Sequence, residues 1–201
     1  VEQVTGMNLQ DYCTKTFYSP MQMHSTGFLP LERADKSNIA ASELDNYFRK
    51  ELIQGSVHDE GASTMGGIAG HAGLFSNATD IAKLYMMLLN GGQWDGQQYL
   101  KPSTIQWFTS YQSPTSRRGL GFDKTARDNA SSKDPYPSLS APPSVFGHTG
   151  FTGTCVWADP DNQLLYVFLS NRVYPTRDNK AFSTLNLRAK IQEQIYQAIK
   201  K

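Results

Sequence analysis

No stretch of this 201-residue chain comes near the roughly 20 consecutive apolar residues of a membrane-spanning helix; the longest apolar run is Leu164–Leu169. The sequence therefore holds no candidate helical span. An excess of either charge is also missing. Nineteen basic residues face eighteen acidic ones, for a formal net charge of +1, and no basic run stands out, which argues against nucleic acid or an anionic lipid surface as partner. Cysteine occurs only at Cys13 and Cys155, far apart and in no CxxC or Cys/His zinc spacing, which favours two separate packed thiols over a disulfide. There is no internal repeat and no signal-peptide pattern. Val1 is not a natural start, so the expectation is that whatever came before it has been removed. What is present is 39% hydrophobic and 18% charged residues, a balance that builds a core and does not describe a disordered chain.

The pattern along the chain starts with helices. Val1–Gly6 reads as the last turn of a helix ending at glycine, and Asn8 with Asp11 three residues on reads as a capped start for a second helix, stopped by Pro20. A short helix is expected around Ser42–Ile53. Met65–Gly73 is rich in glycine and small residues, where the backbone must turn tightly or approach something closely. It leads into the best helix in the chain, with Asn77 as cap and Ile81, Leu84, Tyr85, Leu88 and Leu89 on one face, ended by Asn90-Gly-Gly. Pro102 after Lys101 opens another. Residues 112–143 contain five prolines and few aliphatics, and read as an irregular surface excursion.

After it the period changes to that of strands. Val145–His148, Thr152–Ala158 and Gln163–Ser170 are expected to pair, with Asp159-Pro-Asp-Asn162 as the turn between the last two. Leu164–Leu169, apolar on both faces, is expected to be central in the sheet. Residues 182–200 place Leu187, Ile191, Ile195 and Ala198/Ile199 on one face of a closing helix. The whole is an α+β layout: a helical region, antiparallel strands and a C-terminal helix, with a sheet too small to be complete.

Three segments together carry a resemblance. Gly66-Gly-Ile-Ala-Gly-His-Ala-Gly-Leu-Phe-Ser-Asn-Ala-Thr-Asp-Ile-Ala82 is a glycine loop running into a capped helix. Gly147-His-Thr-Gly-Phe-Thr-Gly-Thr154 carries His-Thr-Gly on a strand, and a strand pair turning at Asp159-Pro160 and a C-terminal helix follow it. In this order they resemble the β-lactamase and penicillin-binding serine hydrolase superfamily, particularly its class C-like esterase branch. Gly6–Thr26 is similar to the stretch that follows that family's Tyr-x-Asn helix. The segments Val57–Glu60 and Asn171–Arg177 resemble a bacterial subgroup in which such a domain can follow a glycoside hydrolase. The resemblance implies an incomplete β-lactamase/transpeptidase-like fold, with residues 1–201 as the C-terminal part of one domain whose N-terminal strands and nucleophile helix are missing.

The chemistry of that family needs a serine activated by a lysine one helical turn on, a Tyr or Ser relay from a second motif, and a strand N–H for the oxyanion. No serine in this chain has lysine three positions later, and Tyr-x-Asn, Ser-x-Asn and Gly-x-Ser-x-Gly are all absent. The resemblance therefore implies that the chain supplies one wall of a site. Thr149 would hydrogen-bond a substrate carboxylate or carbonyl, Gly150 would let substrate lie close to the strand, and the Phe151 N–H would be half of an oxyanion hole. His148 stands where many members have lysine. Histidine, with an ordinary pKa of about 6.5, brings less positive charge than lysine at neutral pH and leaves β-lactam, peptide and ester substrates open. His71, between glycines at the loop, is the further candidate for touching substrate.

No cofactor or metal is called for: His58, Asp59, Glu60 and His71 match no zinc signature. The resemblance implies a bacterial, periplasmic or otherwise extracytoplasmic serine hydrolase whose partners are the missing part of its own domain and a small-molecule or peptide substrate. The isolated chain is expected to be inactive, and to dimerise, to pack through an unpaired sheet edge or to be only marginally stable. Two alternatives stand beside this. One is a catalytically dead binding module, attached to another enzyme such as a glycoside hydrolase and recognising peptidoglycan fragments. The other is a Ser/His/Asp hydrolase contained within the chain.

Overall fold

The structure is a computed structural model and describes residues 1–199. The chain forms two compact units: Val1–Lys83 with Ser170–Asn179, and Leu84–Leu169 with the chain from Lys180 onward.

The first unit begins with α1 (Glu2–Thr5), closed by Gly6 in the left-handed conformation, and α2 (Leu9–Cys13), which widens into a π-helical turn over Thr14–Tyr18. The Asn8 Oδ1 accepts from the Asp11 N–H at 2.8 Å and its Nδ2 donates to the Asp11 carboxylate at 2.7 Å, the expected cap. Residues 42–53 are not helical. They form a hairpin of β1 (Glu43–Asp45) and β2 (Glu51–Ile53), with Leu44 opposite Leu52. The reason is polar: Glu43 and Asp45, alternate residues, point inward and are 3% and 1% exposed. The Asp45 carboxylate closes the turn by accepting the N–H groups of Tyr47, Phe48 and Arg49 at 2.8 to 2.9 Å. Those bonds hold its pKa down at about 2. A reading that follows only apolar residues does not see a period of two made by buried carboxylates.

α3 (Glu60–Thr64) is capped by Asp59, whose Oδ1 accepts from the Ala62 N–H at 2.8 Å. The glycine loop follows. Gly73 has φ 112°, and a Cβ there would lie 2.2 Å from the Gly67 carbonyl oxygen, so close backbone approach fixes glycine at this point. The returning segment 170–179 is fastened by Arg177, whose Nη2 reaches Glu43 at 2.7 Å and Glu60 at 2.8 Å, while Glu43 also accepts the Arg177 N–H.

α4 (Ala78–Leu89) starts in the first unit and finishes in the second. Asn77 caps it through the Asp80 N–H at 2.8 Å, and Asp80 in turn accepts from the Ser25 N–H at 2.8 Å.

The second unit continues with a two-stranded hairpin, β3 (Gln93–Trp94) and β4 (Gln97–Gln98), and α5 (Pro102–Thr109). The proline-rich excursion is mostly irregular, but it also supplies β5 (Asp123–Lys124). With β6 (Phe146–Thr149), β7 (Cys155–Asp159) and β8 (Leu164–Phe168) this makes an antiparallel sheet in the order β5-β6-β7-β8, followed by α6 (Ala181–Thr184) and α7 (Leu187–Ile199). β8 lies at the edge of that sheet among the described residues, which corrects the expectation of a central strand. Among the described residues no further strand follows β8, and none pairs with its outer side.

The two faces of the sheet pack differently. Cys155, Trp157 and Tyr166 lie under Tyr196 of α7, with Ala141 and Val145 completing the cluster and the Tyr136 ring meeting Trp157 edge-on at 5.3 Å. On the opposite face Phe146 stacks on Tyr85 of α4 at 6.2 Å and meets Phe122 edge-on. α7 docks on other residues than the periodicity suggests. Gln192 and Tyr196 are 1% exposed, whereas Ile191 and Ile199 are 38% and 50% exposed. The Tyr196 hydroxyl donates to Asp159 Oδ2 at 2.7 Å, and that bond, with the buried ring, sets which side of the helix faces the sheet.

Candidate active site

β6 carries His-Thr-Gly, and its pairing is uneven. Toward β7 all four residues are in register, Phe146 with Ala158 through to Thr149 with Cys155. On the other side β5 pairs only with Phe146 and Gly147, leaving His148 and Thr149 beyond its end. Strand alternation sets Thr149 on the Trp157 face and His148 on the Phe146 face. Gly147 is closed in: a Cβ there would meet the Val156 carbonyl oxygen at 2.0 Å and the Trp157 ring at 2.7 Å, so the sheet itself excludes a side chain.

The strand runs into a tight turn. Gly150 N–H donates to the Thr154 carbonyl at 2.8 Å and Gly153 N–H to the Gly150 carbonyl at 3.1 Å. A Cβ on Gly150 would lie 2.4 Å from Thr154 Oγ1, so glycine is required here by its own turn whatever lies outside it. Phe151 caps the turn with a side chain 59% exposed. From α7, the Arg188 guanidinium donates to the carbonyls of Gly150 at 3.3 Å and Thr154 at 3.0 Å, and stands 5.5 Å over the Phe182 ring. A cavity of about 180 Å³ lies beside Thr149, lined by Tyr136, Trp157, Phe182, Asn186 and Arg188 among others. That is room for one side chain of a ligand, below the usual size of a whole small-molecule site.

His148 is exposed, and both of its ring nitrogens are engaged. Nδ1 lies 2.8 Å from the Thr149 carbonyl oxygen and Nε2 3.0 Å from Arg118 Nη1. Arg118 also reaches Asp123 Oδ1 at 2.8 Å, a charge contact without the alignment of a hydrogen bond. Asp123 is 2% exposed, and its Oδ2 accepts from the Tyr136 hydroxyl at 2.7 Å. Burial, with this acceptor adding to it, pushes the Tyr136 phenol up to about 12. Arg117 lies over the Tyr136 ring at 4.1 Å. Nothing in the spacing of the sequence marked Arg117, Arg118, Asp123 or Arg188; the nearest signal was an Arg-Arg pair in a stretch read as irregular surface.

His148, Thr149, Gly150 and Phe151 are thus brought together in the second unit, at the end of one strand. His71 belongs to the first unit. It pairs there with Asp59 at 3.1 Å, both side chains being about half exposed, on the edge of the glycine loop. His58 is bound to Glu43 at 2.7 Å. Among the described residues no three His, Cys, Asp or Glu side chains gather as metal ligands, and Cys13 and Cys155 are both free thiols.

A sequence profile of the Beta-lactamase family matches residues 1–189. This chain belongs to the β-lactamase family. A protein of Escherichia coli K12 named "Putative D-alanyl-D-alanine carboxypeptidase" is 39% identical over 184 residues, covering 86% of this chain and 42% of that protein; one of the same name from Salmonella enteritidis is 37% identical over the same shares. The chain thus spans less than half the length of these curated relatives. Among solved structures, a penicillin-binding protein homologue from Caulobacter crescentus aligns with a TM-score of 0.57 at 18% identity, over 85% of this chain and 48% of that one. A β-lactamase from Mycobacterium bovis gives 0.55 at 16% identity, over 92% and 59%. Simvastatin synthase from Aspergillus terreus gives 0.60 at 15%, over 93% and 50%. These likenesses bear on the fold alone, which is the α+β fold of penicillin-binding proteins and β-lactamases.

Proposed function

We propose that this β-lactamase-family chain is the C-terminal wall of an acyl-transferring serine hydrolase of the D-alanyl-D-alanine carboxypeptidase type. The observation that carries the reading is the half-covered end of β6, where His148-Thr149-Gly150 passes beyond β5 into a turn pinned by Arg188. The relatives named as carboxypeptidases support the substrate class, a peptide ending in D-residues. In this reading Thr149 hydrogen-bonds the substrate's carboxylate or carbonyl and the Phe151 N–H faces the developing oxyanion. The serine that is acylated, and the lysine beside it, come from polypeptide upstream of Val1, and water releases the acyl group.

Several further parts of the reading go with it. The enzyme works outside the bacterial cytoplasm, residues 1–201 act as one part of a single catalytic domain, and His71 touches substrate. Alone, the chain forms no acyl-enzyme and its uncovered β8 edge pairs with a second copy.

A fluorophosphonate probe with intact-mass readout tests the proposal. The expected result is no adduct on the 201-residue chain and a stoichiometric adduct, on an upstream serine, in a chain extended toward the relatives' full length. The extended chain should also release D-alanine from a D-alanyl-D-alanine peptide. An adduct on the short chain would sink the reading.

A further inference from the structure

We infer that Arg118 is a positioning residue: anchored by Asp123, it holds the His148 imidazole as the tautomer with its proton on Nδ1. The argument rests on donors and acceptors alone. A guanidinium can only donate, so Nε2, 3.0 Å from Arg118 Nη1, must be the accepting nitrogen. A carbonyl oxygen can only accept, so Nδ1, 2.8 Å from the Thr149 carbonyl oxygen, must carry the proton. Each contact alone is compatible with a single assignment, and the two assignments agree. The ring therefore holds one proton, and both of its nitrogens are committed to the protein.

What holds Arg118 there is equally specific. Its Nη1 donates to His148 at 3.0 Å and lies 2.8 Å from Asp123 Oδ1, an ion pair that holds the guanidinium by charge. Asp123 is itself fixed from two sides: in the sheet opposite Gly147, and through its Oδ2 by the Tyr136 hydroxyl at 2.7 Å. An isolated bridge pairs the Arg118 backbone with Asp123, so the side chain starts from a defined place. The chain of contacts runs Tyr136, Asp123, Arg118, His148, and ends at the Thr149 carbonyl. This is a supporting shell that orients a ring in the way second-layer partners orient other site histidines.

The consequence for catalysis rests on the hydrolase reading above. With Nε2 accepting from Arg118 and Nδ1–H given to Thr149, the His148 ring is held in one orientation at the end of β6. The Arg118 side chain, 53% exposed, places a cationic group beside His148, in addition to Arg188 at the turn that follows.

Nitrogen-15 resonances of the histidine rings read the tautomer directly and do not depend on any substrate being hydrolysed. The chain is labelled at histidine and measured at pH 8, where an ordinary imidazole of pKa about 6.5 is neutral. The His148→Gln spectrum assigns the signals by loss. The expected result is a protonated, pyrrole-type Nδ1 and a bare, pyridine-type Nε2. In Arg118→Met the proton should redistribute toward Nε2, in Asp123→Asn it should do so partly, and Arg118→Lys should keep more of the Nδ1–H form than Arg118→Met does. A proton on Nε2 in the unaltered chain would overturn the proposal, and so would an unchanged tautomer in a folded Arg118→Met. The unaltered chain alone decides the question if the variants do not fold. Loss of hydrolytic activity in the extended chain with this tautomer intact would instead count against the hydrolase reading.

Discussion

The two units of this chain are held together by different kinds of interaction. In the first, the groups that fix the architecture are ions and caps: Glu43 under Arg177, Asp45 inside its own hairpin turn, Asp80 under Ser25 and Thr26. In the second they are rings: Trp157, Tyr136, Tyr166 and Tyr196 on one face of a sheet, Phe146, Tyr85 and Phe122 on the other. A buried carboxylate is tolerated when it is ion-paired or hydrogen-bonded, so it specifies one geometry at little net gain. A buried ring gains from all its contacts and tolerates small adjustments. The first unit is therefore specified by satisfaction of polar groups, the second by apolar area.

That contrast can be broken, and the largest effect is expected in the second unit. Trp157→Ala empties the centre of the cluster and should cost about 4 kcal/mol in a denaturant titration. A loss below about 1 kcal/mol would mean the sheet does not depend on its rings. Next, Arg177→Met takes the guanidinium from the nearly buried Glu43 carboxylate and leaves it with His58, with an expected loss of about 3 kcal/mol. If the loss matches that of an exposed ion pair, the ionic account of the first unit fails.

The pH response sharpens the comparison further. Lys124 is 3% exposed, and burial lowers its pKa from 10.5 to about 8. Between those values the unfolded chain binds more protons than the folded one, so stability should rise with pH from about 8 to 10.5, by on the order of 3 kcal/mol. Lys124→Met should abolish the rise. Asp45 acts with the opposite sense. Its pKa is lowered from 3.8 to about 2, so its contribution is present above 3.8 and disappears as the pH falls toward 2. Urea midpoints across both windows, in the unaltered chain and in Asp45→Asn, separate the two. The smallest effect belongs to His71→Ala: its pair with Asp59 is half exposed, and the stability change should stay within about 0.5 kcal/mol.

The same contrast explains what could be read before the structure. The α4 cap, the turn at Asp159 and the strand with His-Thr-Gly were legible because apolar period and turn chemistry mark them, and the family followed from those segments in order. The hairpin at 43–53 does not show in the apolar pattern, because its inward period is made of Glu43 and Asp45. β8 was placed at the centre because apolar residues on both faces look alike in a central strand and in an edge strand with few neighbours. The docking side of α7 turned on a phenol-to-carboxylate bond spanning 37 residues, which no local period contains. His148 and Thr149 announced themselves by motif. Arg118 and Asp123 did not, because a supporting shell is assembled by folding and its members need keep no fixed distance along the chain.

The contacts of Asp159 form at different times during folding. Its carboxylate accepts from the N–H groups of Asp161 and Asn162, from Asn162 Nδ2 and from the Tyr196 hydroxyl. The first three donors are its near neighbours and are available as soon as β7 and β8 meet, within the microseconds of a hairpin. The fourth must be carried back across 37 residues, a closure whose entropy is spent before anything is gained. Refolding should thus show the turn protected from hydrogen exchange early, and the last turns of α7 only when the sheet already stands to receive them.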